Sequence, residues 1–163
     1  MQSEGDVISD DPLLPLAKAK QPVLLAEDDQ ELRWLIAHAL RGDGFDVYEV
    51  GDGLELLDRL GNSLMDTLEL DSIDLIVSDV RMPGWTGLEV LAGLNSAGCQ
   101  TPVVLITAFG DPEVHAAGKR LGAAAVLDKP FDLNELTSLA NRLLDPKSPA
   151  NPRNATQAQR PIE

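Results

Sequence analysis

Five short apolar runs recur along this chain, and each is followed by a segment with helical spacing. The runs are Val23–Ala26, Phe45–Val50, Ile73–Ser78, Pro102–Ile106 and Ala124–Leu127. Four of them are apolar throughout; only Phe45–Val50 alternates. A strand that is apolar on both faces has to be covered on both faces, which fits a parallel sheet and not a half-solvated antiparallel one. Between the runs, Leu32, Leu35, Ile36, Ala39 and Leu40 mark a first helix ending at Gly42 and Gly44. Leu54 to Leu60 marks a second, entered through Asp52 with Glu55 three residues on. Thr86 and Glu89 cap a third, Asp111-Pro112 opens a fourth running to about Leu121, and Asp132 with Glu135 opens a fifth. The expected fold is α/β: a doubly wound (βα)5 three-layer sandwich around a parallel five-stranded sheet with right-handed crossovers.

The 163 residues suffice for one domain with a core and some tail. Residues 1–21 and 146–163 read as flexible tails or linkers, the second because it is rich in Pro and Asn. Residues 22–145 carry the domain. The 27 acids outnumber the 13 bases, giving a net charge of −14, so a nucleic-acid surface is not expected. No apolar run approaches the length of a membrane span, and the acidic N-terminus lacks a signal-peptide pattern, so the expected compartment is the cytoplasm. Cys99, the lone cysteine, reads as a buried inert thiol.

In a doubly wound sheet the ligand site lies at the carboxyl ends of the strands. Strand 1 is followed by Glu27-Asp28-Asp29, strand 3 by Asp79, strand 4 by Thr107, and strand 5 by Lys129. The topology therefore gathers carboxylates, a hydroxyl and an ammonium around one crevice. Clustered carboxylates repel unless a cation sits among them, and Mg2+ suits an all-oxygen set. An aspartate beside such an ion, with a Lys and a Thr to hold an anion, can act as a nucleophile toward phosphorus.

The stretches Val23–Asp29, Leu75–Gly84, Gly87-Leu88-Glu89, Val104–Ala108, Gly122-Ala123 and Asp128–Phe131 together resemble the receiver domain of bacterial response regulators. The resemblance covers roughly three quarters of the chain. It implies a flavodoxin-like topology and a Mg2+-dependent phosphoacceptor at Asp79, served by a histidine kinase or phosphotransfer protein. Asp28 and Asp79 would ligate the metal with the Arg81 backbone carbonyl, and Glu27 through water. Thr107 and Lys129 would hold the phosphoryl group, with a cis bond between Lys129 and Pro130. Asp29 is left as the helix N-cap. The module would not be an enzyme with a separate substrate; it would switch a face around His115, Lys119 and Val126 that engages an output protein.

Three features depart from the family pattern. Val126 stands where an aromatic is usual, so the switch either runs through Thr107 and the loop to the fourth helix or has a reduced output. Residues 61–72 form a longer connection, with Leu64, Met65, Leu68 and Leu70 suggesting extra helix. Arg81 and Phe109 would shield a phosphoryl group and slow its loss. Two other functions compete: a degenerate receiver that only binds partners, and a small Asp-nucleophile phosphatase, which Glu27-Asp28-Asp29-Gln30 does not match. Trp85 reads either as a surface aromatic or as a reporter of the site, and Trp34 as half-buried packing. His38 and His115 read as solvated, although His115 sits on the output face.

Overall fold

The computed structural model describes residues 20–65, 73–108 and 111–155. Five parallel strands form one sheet: β1 (Pro22–Ala26), β2 (Asp46–Val50), β3 (Leu75–Asp79), β4 (Val103–Ala108) and β5 (Ala125–Lys129), in the order β2-β1-β3-β4-β5. The helices are α1 (Gln30–Gly42), α2 (Gly53–Met65), α3 (Gly87–Ser96), α4 (Pro112–Arg120), α5 (Leu133–Leu144) and a short α6 (Pro152–Ala155). The strand order reverses between β1 and β3, which opens the crevice at their carboxyl ends.

Two apolar layers sandwich the sheet. On one face, Ile36, Ala37 and Leu40 of α1 and Leu136, Ala140 and Leu143 of α5 pack on Val23, Leu25, Val77 and Ile106. On the other, Leu56 and Leu60 of α2, Val90, Leu91 and Leu94 of α3 and Val114 of α4 pack on Leu24, Ile76 and Leu105. β1, β3 and β4 are thus covered on both faces, as their unbroken apolar character requires.

The helix starts follow local hydrogen bonding. Asp29 Oδ1 accepts from the Leu32 amide, Asp52 Oδ1 from Glu55, Thr86 Oγ1 from Glu89, and Asp111 Oδ1 from Val114. Glu55 also reaches back, accepting at 2.7 Å from the amide of Gly51, one residue ahead of the Asp52 cap.

Several boundaries and surroundings differ from expectation. β5 extends through Asp128 and Lys129, because parallel pairing with Thr107 and Ala108 depends on backbone groups and ignores side-chain polarity. Trp34 is 57% exposed and not half-buried: the buried stripe of α1 is Ile36, Ala37 and Leu40, and position 34 faces away from it. There it stacks on His38, with ring centroids 5.0 Å apart. Cys99 is half-buried, on the wall of a cavity. α2 continues past Leu60 to Met65, so extra helix begins as expected; residues 66–72 and Phe109 lie outside the described residues. Residues 1–19 and 156–163 lie outside them as well.

Residues 146–155 fold back where a tail was expected. The Asp145 carbonyl accepts from the Ser148 amide and from Asn151 Nδ2, and Asn154 Nδ2 donates to the carbonyls of Pro146 and Ser148. Asn and Ser side chains replace the backbone partners that Pro residues cannot supply.

Candidate functional site

β3 delivers Asp79 into the crevice at 4% exposure. Its backbone is tightly enclosed: the carbonyl accepts from Ser78 Oγ at 2.9 Å, and a Cβ on Gly87 would lie 2.6 Å from the same oxygen. Only glycine lets α3 start this close to the strand end. The side chain is held at both oxygens. Oδ1 accepts from the Arg81 amide at 3.2 Å and Oδ2 from the Lys129 ammonium at 2.8 Å.

β1 ends beside β3, with Ala26 in register with Ser78, so the next residue, Glu27, lies next to Asp79. Glu27 is fully buried. Its Oε1 accepts from the Asp29 amide at 3.2 Å, and its Oε2 lies 3.3 Å from Lys129 Nζ yet accepts no hydrogen bond. Carboxylate oxygens of Glu27, Asp28 and Asp79 lie within 4.8 Å of one another, with Asp28 exposed at the rim.

The electrostatics follow from that crowding. Burial pushes the Glu27 carboxyl up from 4.5 to about 7, assisted by the negative charge of Asp79 and opposed by the Asp29 amide and Lys129. Burial pulls the Lys129 ammonium down, but its hydrogen bond to Asp79 and the charges of Asp79 and Glu27 outweigh this, and the net shift is upward.

The donor set is all hard oxygen, and one buried carboxylate oxygen accepts no hydrogen bond, which is costly unless a cation satisfies it. The residues therefore fit a divalent metal. Thr107, at the end of β4, is buried with a hydroxyl that has no hydrogen-bond partner. The peptide bond between Lys129 and Pro130 is cis. Asp29 turns its carboxylate to the amide of α1, away from the role of the acid pair.

The fold thus brings Glu27, Asp28, Asp79 and Lys129 together, with Thr107 at the end of the strand next to β3, and it adds residues that sequence reasoning missed. Arg33 of α1 donates from Nη1 to the Glu27 carbonyl at 2.9 Å. Arg81 extends its side chain to Asp111 at 3.5 Å, joining the loop after β3 to the N-cap of α4. His115 is half-buried and has a partner: its Nε2 lies 2.7 Å from Asp128 Oδ1, linking α4 to β5. On the same face, Val126 packs where a Cβ on Gly118 would come within 2.8 Å of its Cγ2. Trp85 is exposed, and its backbone presses on Gly53 at the start of α2.

This order of strands, with acids, hydroxyl and lysine on one edge, defines a module of the flavodoxin-like class. The sequence matches the family model of the response regulator receiver domain over residues 23–141, and the chain belongs to that family, the receivers of two-component systems. It is 31% identical over 132 residues to the DNA-binding transcriptional regulator NtrC of Klebsiella pneumoniae, covering 80% of this chain and 26% of that protein. It is 38% identical over 122 residues to the transcriptional regulatory protein CpxR of Escherichia coli (strain K12), covering 75% of this chain and 48% of that protein. The chain thus spans from 26% to 48% of these relatives' lengths. Among solved structures, the receiver domain of the Francisella response regulator 1452 superposes with a TM-score of 0.66 at 31% identity, over 76% of this chain and 96% of that one. Chemotaxis protein CheY4 of Vibrio cholerae does so with a TM-score of 0.66 at 30% identity, over 77% and 100%.

Proposed function

We propose that the chain accepts a phosphoryl group on Asp79 from a phosphohistidine of a kinase or phosphotransfer protein, with Mg2+ as cofactor. The observation that supports this reading best is the joint arrangement of Glu27, Asp28 and Asp79 around a lysine that touches two of them. Asp28, Asp79 and the Arg81 carbonyl would hold the metal, with Glu27 acting through water. When bound, the ion neutralises the carboxylates and the oxygens of the incoming phosphoryl group.

The chain's own residues do the rest. A carboxylate oxygen of Asp79 forms the new P–O bond as the donor's P–N bond breaks, and the imidazole nitrogen leaves with the electron pair. Lys129, already beside Asp79, follows the developing negative charge on the phosphoryl oxygens, and the Thr107 hydroxyl offers them its unused donor. The reading is of a phosphoacceptor, not of an enzyme turning over a separate substrate. Output would pass through the face of α4 and β5 around His115, Lys119 and Val126. Among the described residues no helix is long and apolar enough to cross a membrane.

Incubation with an acyl phosphate and Mg2+, followed by intact-mass measurement, tests the reading. One added phosphoryl group is expected on the unmutated protein and none on Asp79→Ala. No adduct on the unmutated protein would replace this reading with that of a phosphorylation-independent interaction module.

A further inference from the structure

Only three residues, Glu27, Asp28 and Asp29, separate β1 from α1, and two of them belong to the acid cluster. Their placement depends on what holds the backbone at Glu27. The Glu27 amide is tied to the Val50 carbonyl of β2 at 3.2 Å. The Glu27 carbonyl accepts from Arg33, six residues on, which reaches back from α1.

Arg33 is itself held from a second side. Its Nε lies 3.6 Å from Glu49 Oε1 of β2, and its side chain is 21% exposed. The other oxygen of Glu49 pairs with Arg41 at 3.1 Å, and Arg41 also donates to the Val47 carbonyl. Gly51 completes the seat: a Cβ there would stand 3.1 Å from Arg33 Nη1, so the bare backbone leaves the guanidinium its place.

We infer that Arg33 is a positioning residue for the acid cluster: it locks the Glu27 carbonyl, and through it the Glu27-Asp28 pair, to the end of β2. The inference rests on the magnesium reading above. Arg33 meets the cluster at the Glu27 backbone carbonyl and not at the carboxylates of Glu27, Asp28 or Asp79. Its planar fork is suited to serving a carbonyl and a carboxylate at once, which a lysine ammonium does less well. Groups that orient metal ligands from behind contribute about 10-fold to 100-fold in metal affinity.

The test titrates full-length protein with Mg2+, read by calorimetry, in parallel with thermal unfolding in the absence of metal. Arg33→Met is expected to weaken Mg2+ about 10-fold, and Arg33→Lys about 3-fold, with both variants still folded. Phosphorylation of Arg33→Met by an acyl phosphate should recover when Mg2+ is raised to saturation, because the residue acts on the metal's seat and not on the transfer. Glu49→Gln should weaken Mg2+ less than Arg33→Met. Arg41→Gln, on the exposed side of Glu49, should leave the affinity within about twofold, the scatter expected where no ligand is disturbed.

Failure of the unmutated protein to bind Mg2+ would remove the magnesium reading itself. Binding by the unmutated protein with equal affinity in Arg33→Met would remove the role of Arg33 alone. If Arg41→Gln weakened Mg2+ as much as Arg33→Met, general loosening of α1 would replace local positioning. Should Arg33→Met fail to fold, the ranking of Arg33→Lys, Glu49→Gln and Arg41→Gln decides by the same criteria.

Discussion

At the carboxyl ends of the strands, Glu27, Asp79 and Thr107 are buried together, and two of their oxygens accept no hydrogen bond. At the amino ends the chain treats polar atoms differently. There Asn151 is 7% exposed but donates to the Asp145 carbonyl, and the Asp145–Asn154 segment closes on itself through side chain to backbone bonds. That segment helps wall a cavity of about 610 Å³ lined by Leu94, Cys99, Val103, Leu139 and Leu143. One end spends stability on concentrated charge; the other recovers it with satisfied polar groups and apolar contact. Groups selected for chemistry sit in environments that a stability criterion alone would reject.

Four variants bear on this division. The largest effect is expected for Lys129→Met, which removes the cation shared by Asp79 and Glu27. Adduct formation from an acyl phosphate should slow by at least about 100-fold. Metal-free stability at pH 8, read by urea unfolding, should drop by about 3 kcal/mol because two buried acids lose their counter-charge. Leu143→Ala at the other end should cost a similar amount, about 3 kcal/mol, by opening space beside the cavity. It should leave Mg2+ affinity unchanged in a fluorescence or calorimetric titration; a large loss there would mean that the two ends are not separable.

Glu27→Gln should act in the opposite sense. Because the folded protein holds the Glu27 proton up to about pH 7 and the unfolded chain releases it near 4.5, stability from this group declines as pH rises through that window. Substitution should therefore stabilise the metal-free protein at pH 8 by about 2 kcal/mol and have little effect at pH 4.5. Melting curves at the two pH values check the sign. The smallest effect is expected for Asn151→Ala, a loss of about 1 kcal/mol for its buried bonds, with no dependence on pH between 5 and 8. A pH-dependent loss would couple it to the acid end.

Much of the fold could be read from the chain because β1, β3 and β4 are apolar on both sides, a pattern with few other uses. The acid cluster was legible for a related reason: charge placed directly after such runs must lie at a sheet edge. What stayed hidden depended on spatial approach between distant residues. His115 and Asp128 meet only because α4 packs across β5, and nothing in a 13-residue spacing encodes that. The partner of Arg33 is a backbone carbonyl, which leaves no trace in residue identity. Trp34 departs from the expected half-buried packing because it lies off the buried stripe of α1 formed by Ile36, Ala37 and Leu40, although Leu35 and Ile36 follow it. In residues 146–155 a Pro-rich composition conceals the local hydrogen bonds made by Asp145, Ser148 and Asn154.

The upward shift of Glu27 has a thermodynamic corollary. Near neutral pH a fraction of the protein carries a proton on that carboxyl, and a cation seated among the three acids has to displace it. Loading would then be an exchange of one ion for another, with the solution receiving the proton. The heat measured at pH 6.5 should depend on the ionisation enthalpy of the buffer, and that dependence should fade by pH 8.5. A fall in pH would act as a competitor for the site, so acidification alone would weaken the proposed binding of Mg2+.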